Sequence, residues 1–223
     1  MKKLLLSLLG CATLVGTAYA GDEKITRGYN SNDSLGCMML RECTDNVRRI
    51  ASIKNIQDSY PNSDYSAVAT EFNEMLDSLD KIGVMVFLGD QKYFPIGNRG
   101  VYHTVSNNFF LNDAFMGRQS TLMSVVRHEG WHAAQDCMAG TIDNSLIAII
   151  LPEDDVPSIW REMAERTYPK SVVPWEAEAS WAGRTENMTS DALAACSTGK
   201  MWEIYEPTPL TRKYLVKEGY IAK

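Results

Sequence analysis

The spacing of apolar and polar positions changes several times in the first half of the chain, and each change predicts a new element. Helical steps of three and four residues give way to short apolar runs after residue 81, and the segment at 60–64 (YPNSD) breaks the helical pattern. Two helices are predicted at about 38–53 and 65–79, and three strands at 82–88, 101–105 and 108–111.

The second half of the chain has a mostly helical pattern. Apolar positions recur at helical spacing from about 120 to 138, and Gly140 stands where a helix stop is expected. Pro174 suits the first turn of another helix. Further helices are predicted at 157–166 and 191–205, an apolar run at 146–151, and an irregular tail around Pro207 and Pro209. The chain therefore predicts an α+β fold in which helices surround a short sheet.

The first 20 residues have the pattern of a signal peptide. Lys2 and Lys3 precede an uncharged, mostly apolar stretch, and Ala18-Tyr19-Ala20 has the small residues that signal peptidase requires. A membrane anchor is the alternative, but the uncharged stretch is short for a span of about 20 residues. Lipoprotein processing at Cys11 is less favoured, because the mature chain would then begin with an apolar segment where a polar tether is expected. We predict an exported protein, secreted or periplasmic, with residues 21–223 as one domain whose N-terminal part is helical.

Composition excludes several classes of function. The 223 residues contain 22 Lys and Arg against 28 Asp and Glu, which gives a formal charge of −6. No basic cluster interrupts this acidic background, so nucleic acid is not an expected partner. No stable membrane span is expected once the signal peptide is removed, and the oligomeric state is not indicated.

Four cysteines remain after such cleavage: Cys37, Cys43, Cys137 and Cys196. An even set in an oxidising compartment predicts two disulfides, for which three pairings exist. Metal-binding cysteines are the alternative, but the chain has no Cys-x-x-Cys pair and the spacing from Cys37 to Cys43 is wider than that of a zinc knuckle.

Two of the three histidines lie in the HExxH sequence His128-Glu129-Gly130-Trp131-His132. Residues four apart share one face of a helix, so both imidazoles can bind one cation while Glu129 borders the same site. Zinc at such a site activates a water molecule, and Glu129 is placed to take its proton. The alternative, two ordinary histidines on a buried helix, does not explain the helix-weakening Gly130. We expect its missing side chain to admit substrate backbone.

A third ligand is required, because two histidines hold zinc poorly. His103, the remaining histidine, lies on a predicted strand. Glu176 and Glu178 lie downstream on the helix that Pro174 opens, and side chains two apart on a helix point about 200° apart. Only one of these two acids can therefore face the metal.

These residues resemble the gluzincin class of zinc metallopeptidases, which carry HExxH on one helix and a glutamate ligand on a later one. The match extends over 101–183 and includes Glu176-Ala177-Glu178-Ala179. The resemblance implies Glu176 as third ligand, with Glu178 as second choice. It also implies a small zincin-like core with a short mixed sheet and an edge strand that pairs with extended substrate. The match fails at Ser180, where an Asp would orient a ligand histidine.

The resemblance implies an exported zinc-dependent hydrolase, a peptidase acting on peptide or protein, with Glu129 as general base and acid. A secreted zincin-fold binding protein without turnover and a peptidoglycan amide hydrolase remain as alternatives. A zincin core also places Cys137 near Cys196, which leaves Cys37 to pair with Cys43. Candidates for stabilising the oxyanion are His103, Tyr102, Tyr168 and Tyr205. Three tryptophans are expected to wall the site: Trp131, Trp175 and Trp181.

Overall fold

A computed structural model describes residues 33–222, so the predicted signal peptide at 1–20 lies outside the described residues. The described part is a mixed α+β fold, which confirms the predicted class. The helices are α1 (Ser34–Met39), α2 (Ile53–Ser59), α3 (Ala69–Lys81), α4 (Gln119–Met138), α5 (Ser158–Thr167), α6 (Val173–Ala182), α7 (Met188–Ser197), α8 (Met201–Ile204) and α9 (Pro209–Glu218). The strands are β1 (Arg48–Arg49), β2 (Met85–Gly89), β3 (Gly100–His103) and β4 (Asn108–Asn112).

The sheet is mixed and has four strands in the order β1-β2-β4-β3. The central pair β2 and β4 is parallel, and each outer strand is antiparallel to its neighbour. Every residue of β4 is buried, which agrees with its central place. The edge strand beside the HExxH helix is therefore β3, and the strand predicted at 108–111 is an interior one.

Alternating side chains of the central strands divide the core into two layers. Leu88 and Leu111 pack with α3 and α4 in the main core, whereas Phe87 and Phe110 stack at 5.3 Å on the opposite face. Residues of α1 cover that second face. The two-residue period of a strand thus lets one short sheet bury both faces.

The long helix α4 is the centre of the molecule and packs against α6, α7 and β3. Gly130 lies on its α7 side, where an added Cβ would come within 3.0 Å of Thr189 Cγ2. The expectation that this glycine admits substrate is therefore wrong. Its role is to let two helices approach closely.

Both disulfides have the predicted pairing, Cys37–Cys43 and Cys137–Cys196. The predicted helix at 38–53 is wrong, because α1 ends at Met39 and the short Cys37–Cys43 loop follows. Arg41 in that loop has a φ of 60°, which a continuing helix does not permit. The disulfides are consistent with an oxidising compartment.

The C-terminal part also departs from the prediction. The helix expected at 191–205 is split into α7 and α8 around Gly199, whose φ is +71°. The tail expected to be irregular contains α9, because the Thr208 side chain caps the helix and Pro209 fits its first turn. Among the described residues, no helix combines the length and apolar character needed to cross a membrane.

Candidate metal centre

Two helices bring His128, His132 and Glu176 together. On α4 the two imidazole centroids are 4.9 Å apart, and their planes are nearly perpendicular, at 88°. From α6, Glu176 Oε2 lies 3.4 Å from His128 Nε2, and Glu176 Oε1 lies 3.7 Å from His132 Nε2. One ligand atom of each residue lies within 4.8 Å of the others, so the group could hold a metal ion.

These separations suit a small cation. Ligand atoms about 2.0–2.1 Å from a tetrahedral ion are about 3.4 Å apart, close to the shorter of the two distances above. Glu176 Oε2 is buried and has no hydrogen-bond partner in the described part of the chain. A buried carboxylate oxygen of this kind is costly unless something positive compensates it. The side chains of His128, His132 and Glu176 are 20%, 12% and 16% exposed, so each keeps some access to solvent.

The charges around the group favour a neutral His132 and an ionised Glu176. Burial and the neighbouring His128 lower the pKa of His132. Burial raises the pKa of Glu176, but the neighbouring His128 and His132 lower it below its ordinary value. Burial lowers the pKa of His128, and Glu176 and Glu129 more than offset that effect. A neutral imidazole and a carboxylate are the forms that bind cations.

Each histidine has a polar neighbour that the sequence did not reveal. The Ala179 backbone lies beside His128 and raises its pKa. His132 Nδ1 lies 2.8 Å from Gln135 Oε1. Gln135 stands three residues after His132 on the same helix, and that spacing is the signal in the sequence that could have identified it.

Glu178 turns away from the histidines into the core, where it is 1% exposed. Its carboxylate accepts hydrogen bonds from Trp131 Nε1 at 3.1 Å and Gln135 Nε2 at 2.7 Å. It also accepts the backbone N–H groups of Ile150 and Leu151, at 3.0 Å and 2.6 Å. The structure thus brings Glu176 to the histidines, whereas Glu178 fastens the irregular apolar segment at 146–151.

The edge strand β3 holds Glu129. The Tyr102 N–H donates to Glu129 Oε2 at 2.8 Å. At Gly100 the strand comes so close to α4 that an added Cβ would lie 2.6 Å from Val125 Cγ1 and 3.1 Å from Glu129 Cγ. One carboxylate oxygen is therefore fixed, and the missing side chain at residue 100 leaves room for the rest of Glu129.

Among the candidates for stabilising an oxyanion, Tyr168 is the one whose pKa is influenced by the nearby Glu176. Burial and the charges of Glu176 and Glu129 raise its pKa well above the ordinary value, so its phenol stays protonated. The Tyr102 phenol instead donates to Asp136 at 2.8 Å, and the His103 ring lies 2.6 Å from Ser106 Oγ. Tyr205 lines an apolar surface groove formed by residues 146–153 and 204–211.

The three tryptophans have different surroundings. Trp131 is fully buried, and Trp181 packs on a small cluster between α5 and α6. Trp175, next to Glu176, lines the apolar groove of about 1070 Å³ between 146–153 and 204–211. Trp175 is the tryptophan that joins the centre to a surface groove.

No family model matches the chain, and neither the curated proteins nor the solved structures contain a significant match.

Proposed function

We propose that the protein is a zinc-dependent hydrolase of the gluzincin kind that cleaves peptide bonds. The observation that carries the proposal is the convergence of His128 and His132 from one helix with Glu176 from another, beside the fixed carboxylate of Glu129. The donor set of two imidazoles and one carboxylate without cysteine favours zinc among the metals of catalytic sites.

The residues divide the chemistry between them. His128, His132 and Glu176 would hold zinc, which supplies the Lewis acidity that makes a bound water acidic at neutral pH. Glu129 accepts the proton of the attacking water and returns it to the leaving amine. The Tyr102 N–H keeps one oxygen of that carboxylate in place. The protonated Tyr168 phenol donates to the oxyanion that forms on the substrate.

The open edge of β3 supports a polypeptide substrate. The Asn112 N–H donates to the Arg99 carbonyl, so residue 99 faces β4. Alternate residues of an antiparallel strand face opposite ways, so the backbone groups of Gly100 and the Tyr102 carbonyl face the open edge, while the Tyr102 N–H is occupied by Glu129. An extended peptide can pair with such an edge. This feature favours a peptidase over a hydrolase of peptidoglycan amides.

Export is part of the proposal. Two disulfides fit an oxidising compartment, and the pattern of residues 1–20 predicts a signal peptide. The working location would be outside the cell or in the periplasm.

The test replaces Glu129 by Gln and measures zinc content and hydrolysis of a broad peptide library. Glu129→Gln should keep one equivalent of zinc and lose about 10²–10⁴-fold of the rate, the usual scale for a positioned acid-base group. The exposed Glu165→Gln is the matched control and should behave as wild type. Zinc binding without any hydrolysis by the wild type would identify a binding protein. Cleavage of peptidoglycan alone would correct the substrate.

A further inference from the structure

The buried carboxylate of Glu178 is the feature that the proposed chemistry leaves unused. It receives hydrogen bonds and gives none: two come from side chains and the others from the backbone of 150–151. Burial raises the pKa of Glu178, but its four partners are all N–H donors, so the carboxylate accepts at both oxygens and dictates which way each neighbouring polar group must face.

Gln135 is the neighbour on which this constraint acts. Its amide nitrogen donates to Glu178 Oε2 at 2.7 Å and to the Trp175 carbonyl at 3.1 Å. Both partners are acceptors, so the amide cannot be turned around without placing oxygen against oxygen. The Gln135 Oε1 atom must then face His132.

The orientation of Gln135 determines which ring nitrogen of His132 carries hydrogen. An amide oxygen accepts, so the hydrogen at His132 lies on Nδ1, 2.8 Å from Gln135 Oε1. A neutral imidazole with hydrogen on Nδ1 carries its lone pair on Nε2, the atom that faces Glu176. We propose that Glu178, acting through Gln135, is a positioning residue that holds His132 in the single tautomer able to bind metal through Nε2.

This inference rests on the proposed function only where it names zinc as the metal, because the hydrogen bonds fix the tautomer in the metal-free protein as well. It also explains why an acid stays buried two residues after the candidate ligand Glu176. A glutamine at 178 would place an NH₂ group where one of the two carboxylate oxygens now accepts. The backbone N–H groups of 150–151 cannot turn, so the amide oxygen of that variant stays with them and its NH₂ group faces Gln135, whose own amide must then turn.

The experiment follows the nitrogen resonances of His132 in the metal-free protein and the zinc affinity in competition with a chelator. The wild type should show hydrogen on Nδ1. Glu178→Gln should lose the uniform tautomer and bind zinc about 10–100-fold more weakly, the usual effect of removing a group that orients a metal ligand.

Two further variants separate positioning from mere packing. Adding Gln135→Glu to Glu178→Gln exchanges acid and amide and restores an acceptor opposite His132 Nδ1, so the tautomer should return. The Trp175 carbonyl loses its donor in this variant, so the zinc affinity should recover only in part. Trp131→Phe removes a different donor to Glu178 and leaves the Gln135 branch intact. It should lower stability but keep the wild-type tautomer and affinity.

Hydrogen on Nε2 of His132 in the wild type would overturn the inference, and this measurement needs no variant to fold. Unchanged affinity and tautomer in Glu178→Gln would overturn it as well. Neither readout involves hydrolysis, so an inactive protein that shows the expected tautomer and zinc binding contradicts the proposed function alone.

Discussion

Gly100→Ala tests whether close packing of the edge strand on α4 holds Glu129 in place. The added methyl group would lie 2.6 Å from Val125 Cγ1, 3.1 Å from Glu129 Cγ and 3.2 Å from the Phe110 carbonyl oxygen. Val125 is buried and β-branched on a helix, so it has little rotamer freedom. The methyl group therefore has to displace β3 from α4 or push Glu129 aside.

The displacement can be sized from these distances. Carbon atoms in contact prefer about 3.5–4.0 Å, so the strand and the helix must separate by about 1 Å at this point. The Tyr102 N–H bond to Glu129 is 2.8 Å long. An outward shift of the strand by about 1 Å would lengthen it beyond hydrogen-bonding range. Overpacking of this kind costs about 1–3 kcal/mol of stability.

The assay combines denaturant unfolding, zinc content and peptide hydrolysis. We expect Gly100→Ala to lose stability by the amount above and to lose more than about 10-fold in kcat/KM, the cost of releasing a positioned catalytic group. Zinc binding should be retained, because the three atoms nearest to the added methyl group belong to Val125, Glu129 and Phe110 and not to His128, His132 or Glu176. Gly117→Ala is the matched control, since its nearest neighbour would lie 3.4 Å away. A Gly100→Ala protein with the stability and rate of wild type would refute the reasoning.

Three further predictions follow from the same geometry. Tyr168→Phe should keep zinc and lose about 10²-fold in kcat, as when one oxyanion donor is removed, and equal loss from a Tyr93→Phe control in the cluster on the opposite face of the sheet would contradict that role. Replacing Cys137 and Cys196 by Ser should lower the free energy of unfolding by about 4 kcal/mol, given a separation of 59 residues, and denaturant titration measures it. Removing zinc with a chelator should lower the midpoint of thermal unfolding, because an ion bound only to the native state at 100 times its Kd stabilises it by about 2.7 kcal/mol; an unchanged midpoint would mean that no ion was bound.

The spacing of apolar residues correctly predicted the helices and strands that bury one continuous face. The α4 helix was identified by its long helical period, and the central strands by short continuous apolar runs. The error at 38–53 arose where a disulfide and the left-handed backbone of Arg41 override a helical pattern. At the C-terminus the opposite error occurred, and a helix was missed. Pro207 and Pro209 suggested an irregular chain, but Pro209 is the first residue of α9, which the Thr208 side chain caps.

The sequence alone could not decide whether Glu176 or Glu178 faces the histidines. Helical geometry required that the two acids face opposite ways, and the structure satisfies that requirement. Which acid faces the histidines depends on how α6 is rotated, and α6 has apolar residues on almost every side. Its rotation is fixed by donors far away in sequence, the backbone N–H groups of Ile150 and Leu151. Those donors belong to an irregular segment with no periodic pattern, so the contact that turns Glu176 toward the histidines could be found only in three dimensions.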